Sequence, residues 1–163
     1  MSTFIVGACL AVFSLLQATL FPVASFVSVL PDFTLVIVLV WSAVRGVQEG
    51  LMWAFAIGIL LDTLALDPLG ANALALLPAV LLGGLSGQRF FHSGLIVPVL
   101  ATMAATFLHA VLLLLVRSAG GDSLEFSAVG RLVFFQSLLN VIIVPPIYLF
   151  ASFAQRPPAM RHA

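Results

Sequence analysis

Residues 51–66, LMWAFAIGILLDTLAL, decide how this chain is read. Almost every position is apolar, yet one carboxylate, Asp62, stands near the end of the run. The whole chain is only 7% charged and has no lysine. An ionised side chain near hydrocarbon costs roughly 2.5–3.5 kcal/mol on insertion scales. Asp62 therefore sits at an interface, pairs with a cation inside a helix bundle, or titrates, and each option makes it a site. Gly58 lies one helical turn before it on the same face.

Composition extends this reading to the whole molecule. Of 163 residues, 63% are hydrophobic, and the mean hydropathy is +1.25. A soluble domain carries about 25% charged residues; here lipid must be the solvent for much of the surface. The expectation is one integral-membrane domain, residues 1–155, with a short cytoplasmic tail, 156–163. Formal charge is zero. With no basic patch and no glycine-rich phosphate loop, nucleic-acid and nucleotide binding lack support. Cys9 is the only cysteine, which excludes internal disulfides and thiolate metal sites. The first arginine is Arg45, so no basic segment precedes the first apolar run, which reads as a retained span.

Six apolar runs follow one another. The first covers residues 4–21 and ends at Pro22; the second runs from Asp32 to Val44, with Trp41 near its end. Counted from Phe33, the second has only about 12 residues, short of the roughly 20 a full crossing needs. The third, 51–66, stops at Asp67-Pro68-Leu69-Gly70, a turn signature. The fourth, 71–84, carries Pro78 and ends toward Gly87 and Arg89; the fifth is 95–116. The sixth, 126–153, is long enough for its start, up to Arg131, to lie along the interface. The fold class expected is all-α, a polytopic membrane bundle of about six transmembrane helices. Arginine placement favours both termini in the cytoplasm, with Arg45, Arg89, Arg156 and Arg161 on that side. Arg117 and Arg131 then lie outside with Asp32, Asp67, Asp122 and Glu125.

Small residues recur one turn apart: Gly46 with Gly50, Gly83 with Gly87, Ala54 with Gly58. Such spacing lets helices approach closely. Among the polar residues, Arg131 falls on the same side as Asp62 and is the expected partner for it. Gln136 and Asn140 share a face of the sixth run, suited to interhelical hydrogen bonds worth roughly 0.6–2 kcal/mol each. Pro145-Pro146 follows and should kink that helix. His109 reads as a neutral side chain bonded across to another helix rather than a proton relay; no metal-ligand spacing surrounds it. No serine or cysteine has a base partner, so an intramembrane enzyme fits poorly.

The ordered set Pro31-Asp32, Trp41, Gly50, Gly58, Leu61-Asp62, Leu69-Gly70 and Asn140 ahead of Pro145 resembles the MreD family, the membrane subunit of the bacterial rod-shape machinery. The resemblance runs over nearly the full length, though the loops and tail match little. It implies a non-enzymatic scaffold in the bacterial inner membrane, without cofactor or metal. The implied partners are membrane lipids, an MreC-like bitopic protein, a RodA-type glycosyltransferase with its transpeptidase partner, and an MreB-like filament. Asp62, Asp32 and Asp67 would mark the external docking side, and Gly58 a close-contact face. It also implies a fold similar to the substrate-binding subunits of vitamin-uptake transporters. That likeness opens an alternative, a small-molecule uptake subunit, and a third reading is a lipid-binding subunit. A transporter pocket needs several convergent polar groups, and this chain has one tyrosine, Tyr148, and few polar residues near its external ends.

Overall fold

A computed structural model of the chain describes residue 12 and residues 31–92, 94–119 and 126–154. Five helices occupy them: α1 (Phe33–Arg45), α2 (Val47–Ala65), α3 (Ala71–His92), α4 (Ile96–Ala119) and α5 (Phe126–Ala154). By length and composition three segments can cross a membrane, Val47–Ala65, Ile96–Ala119 and Gly130–Ile147, while Phe33–Arg45 and Ala71–Gly87 are shorter. The chain is thus a helical membrane protein. The first apolar run, 4–21, lies outside the described residues apart from Val12.

The shortest helix is the innermost. Leu35, Val36, Val38 and Leu39 of α1 have no exposed surface. Helix α1 packs mainly on α3 and also meets α2, α4 and α5; further contacts join α2 to α3, α3 to α4 and α4 to α5. No comparable packing joins α2 to α5 among the described residues. Burial explains how thirteen residues stand as a separate helix: α1 borrows its surroundings from protein, so its length need not match the bilayer.

Each helix end has a local cause. Asp32 caps α1, its Oδ1 accepting from Leu35 N at 3.0 Å, a bond that satisfies one of the free amides of a first turn. At the other end Gly46 takes φ +92° and donates its N–H to Ser42 O at 2.8 Å. That left-handed conformation is why the chain turns directly into α2, and it removes Gly46 from the role of packing partner to Gly50. The guanidinium of Arg45 lies over Trp41, 5.4 Å from the ring centroid. Helix α2 ends on Leu66 at φ 56°, where a side chain is disfavoured.

The glycines divide into two kinds. A Cβ on Gly50 would overlap the Ser42 side chain, one on Gly58 the backbone of Ala73, one on Gly83 the carbonyl of Leu39 and one on Gly84 Val47. These are close approaches of α1, α2 and α3. Gly87 is different: it has φ +41° with nothing within 4 Å. Its backbone is non-helical inside α3, so it breaks the helix path instead of packing with Gly83. Pro78, Pro145 and Pro146 all lie inside helical segments.

Candidate functional site

The polar interior is concentrated where α1 and α3 begin and α2 and α4 end. Among the described residues, two groups of polar side chains meet there.

The first is built on Asp62, 1% exposed. Its Oδ2 accepts from Gly70 N at 2.6 Å. Its Oδ1 accepts from Asn72 N and Asn72 Nδ2, both at 2.8 Å. Its backbone carbonyl accepts from Asp67 N at 3.1 Å. One residue therefore organises the whole 66–70 turn and the first turn of α3. A carboxylate suits this position because helix N-termini present unpaired amides and favour negative charge. Asn72 Nδ2 also donates to Asp67 Oδ2 at 3.2 Å. Arg117, from α4, grips Asp67 with Nε to Oδ1 at 3.0 Å and Nη2 to Oδ2 at 2.8 Å.

These contacts replace the expected Asp62–Arg131 pair. Asp62 is satisfied by amides, Arg131 is exposed on α5, and no substantial packing joins α5 to α2 among the described residues. The arginine that reaches the acids is Arg117, and its partner is Asp67. Its side chain is 37% exposed, so we expect a double-mutant cycle of Asp67→Asn and Arg117→Gln on thermal stability to return a coupling of about 1 kcal/mol. Strict additivity of the two changes would contradict the bidentate geometry.

The second group joins α1 to α4 and α5. Asp32 N donates to Asn140 Oδ1 at 2.7 Å. Asn140, with no exposed surface, donates from Nδ2 to Thr106 Oγ1 at 3.0 Å. Thr106 and Thr102 donate to Thr102 O and Pro98 O, each at 2.8 Å, running the polar line down the inner face of α4. His109 Nε2 lies 3.6 Å from Asp32 Oδ2. Asn140 is therefore the interhelical bond-former that its position suggested, whereas Gln136, half-buried one turn earlier, makes no such bond among the described residues.

The structure thus brings Asp32, Asp62, Asp67 and Asn140 to one end of the bundle, with Gly58 one turn below Asp62. It leaves Arg131 outside, and Asp122 and Glu125 lie outside the described residues. Asn72, Thr106 and Arg117 complete the groups and were not singled out in the sequence. The signal for Asn72 was its place just after the Asp67–Gly70 turn, where a side-chain amide meets the carboxylates ahead of it. Among the described residues no three His, Cys, Asp or Glu side chains converge as metal ligands would.

A family model described as rod shape-determining protein MreD matches residues 1–154. The chain belongs to the MreD family. Membership makes it a rod shape-determining membrane protein, and the match takes in every described helix of the bundle. No curated protein and no solved structure matches the chain. Within this MreD-family bundle, both polar groups perform the same task. They hold helix ends in register through the hydrogen bonds of Asp32, Asp62, Asn72, Thr106 and Asn140.

Proposed function

We propose that this protein is a non-enzymatic scaffold of the cell-elongation machinery in the bacterial inner membrane. It binds an MreC-like bitopic protein and thereby positions or regulates peptidoglycan synthases, a RodA-type glycosyltransferase and its transpeptidase partner, alongside an MreB-like filament. Both termini are cytoplasmic, residues 4–21 supply a further span to make six, and the acid-bearing end faces outward.

One observation carries the reading. The buried carboxylates and amides at the acid-bearing end are held by hydrogen bonds within the bundle, while α2 carries an exposed apolar stripe. On α2 the exposed residues Met52, Phe55 and Ile59 are 72%, 53% and 42% exposed and form one stripe. Gly58, beside that stripe, lets α3 approach to backbone contact and so fixes the shape of the face. Such a surface offers helix-to-helix adhesion, in keeping with a shape-determining family.

The test is co-expression with the MreC-like protein of the same bacterium. In a Cys9→Ser background, single cysteines at Met52, Phe55 and Ile59 are paired with cysteines along the partner's span and oxidised. Crosslinks recurring with helical period on α2 support the reading. A chain that purifies without the partner, forms no crosslink and retains a small metabolite at nanomolar affinity would instead be the vitamin-uptake type of subunit.

A further inference from the structure

One side of α1 is left over by its neighbours. Helices α2, α3, α4 and α5 each touch α1 and each packs on the next, but no substantial packing joins α5 back to α2 among the described residues. The ring around α1 is therefore open on one side. The helical wheel of α1 shows the same opening. Eight of its thirteen residues are buried, and they cover about two thirds of its circumference. Phe33, Ile37, Trp41 and Val44 share the remaining arc, and all four are half-buried.

We propose that the chain's own residues 4–21 fill this opening, running antiparallel to α1 with a face of small side chains against these large ones. The inference rests on the reading of 4–21 as a span. In that run Gly7, Ala11, Ser14 and Ala18 recur at intervals of four, three and four and share one helical face. Laid antiparallel, they meet the α1 stripe in order: Gly7 with Val44, Ala11 with Trp41, Ser14 with Ile37, and Ala18 with Phe33. Small residues facing large ones let two helices approach closely. Val12, the one described residue of the run, is helical and 53% exposed. On a helix it points about 120° away from the small face, as this packing requires.

Length and chemistry favour this occupant over lipid. Helix α1 is about 20 Å long, a poor match along its open side to a hydrocarbon core of about 30 Å. Residues 4–21 carry no charge and as a helix run about 27 Å. The tether, residues 22–31, reaches at most ~36 Å, enough to return the chain to Asp32. Tethering also gives the run an effective concentration on the order of millimolar at this face, which a free helix must outbid. Trp41 Nε1 is buried and has no hydrogen-bond acceptor among the described residues. Lipid tails offer none, whereas the Ser14 hydroxyl lies within one turn of Ala11 in this register.

Disulfide mapping of the full chain in membranes provides the test, in a Cys9→Ser background. Oxidation should bridge Ser14→Cys to Ile37→Cys and Gly7→Cys to Val44→Cys within one chain, and leave Val12→Cys with Ile37→Cys unlinked. Equal linkage through Val12→Cys would overturn the proposal, as would disulfide-linked dimers through Ser14→Cys, which would seat a second copy there. An impermeant maleimide separates the two readings. Labelling of Ser2→Cys and Ala24→Cys from opposite sides without the bridges would overturn the packing alone. Labelling of both from one side would undo the span and the proposal with it. Should the cysteine pairs fail to accumulate, melting in detergent decides. Ala11→Leu should lower the midpoint by several degrees while Val12→Leu leaves it in place, and equal midpoints would refute the contact.

Discussion

Asp62→Leu should prevent the protein from accumulating as a folded species. The substitution keeps the branch at Cγ and is more apolar, so hydropathy alone would expect it to be harmless or favourable. The structure gives the opposite result. Leucine strips the acceptor from Gly70 N and Asn72 N, and leaves Asn72 Nδ2 only its longer bond to Asp67. Each buried donor left unpaired costs about 1–3 kcal/mol, so two or more lost at once remove much of a typical 5–15 kcal/mol stability. Asp62→Asn keeps one acceptor oxygen but turns an NH₂ group toward a donor, and should fall between the two. Fluorescence-detected size exclusion of a tagged protein will show the ranking. A monodisperse Asp62→Leu peak with an unchanged melting midpoint would mean that the carboxylate is incidental.

Gly58→Val should be nearly as damaging, for a reason of shape. The Cβ position is already filled by the Ala73 backbone. No rotamer can relieve a clash of Cβ with backbone, so α2 and α3 must move apart. Overpacking of this kind costs typically 1–3 kcal/mol or more. It would also pull Asp62 away from Gly70 and Asn72, which lie on the far side of the same contact. Even Gly58→Ala should lower the melting midpoint by several degrees, and valine more. Gly130→Ala is the control. That glycine lies in α5 with nothing within 4 Å of the added carbon, and alanine is the better helix former by about 1 kcal/mol. Equal effects at Gly58 and Gly130 would show that propensity, and not contact, governs both.

The helices were largely legible in the sequence because their boundaries are written locally. The run at 51–66 became Val47–Ala65, and the turn after it sits on the Asp67-Pro68-Leu69-Gly70 signature. The short second run became α1, beginning after the Asp32 cap. Gly50, Gly58 and Gly83 lie where α1, α2 and α3 approach closely; the face of Gly58, expected to meet a partner, is taken by Ala73 of α3. Gly87 makes no such approach, and spacing alone cannot distinguish a glycine that permits contact from one that permits positive φ. The pairing of polar residues was also hidden. Asp62 was legible as a site, but its partners are backbone amides of the following turn, which carry no side-chain signature. Asp32 and Asn140 stand 108 residues apart, and Asp67 and Arg117 stand 50 apart. Which of Arg117 and Arg131 reaches the acids depends on which helices are neighbours, a fact of packing that side and depth do not determine.

That long separation orders the protein's biogenesis. The α2–α3 turn closes through bonds spanning only eight to ten residues, so it can form as soon as those residues leave the ribosome. Helix α1, made earlier, buries its flanks only once α3 exists, and the acceptor for Asp32 N is synthesised with Asn140. A nascent chain arrested before that asparagine would hold a finished hairpin beside a half-anchored first helix, the form that a membrane quality-control protease would meet.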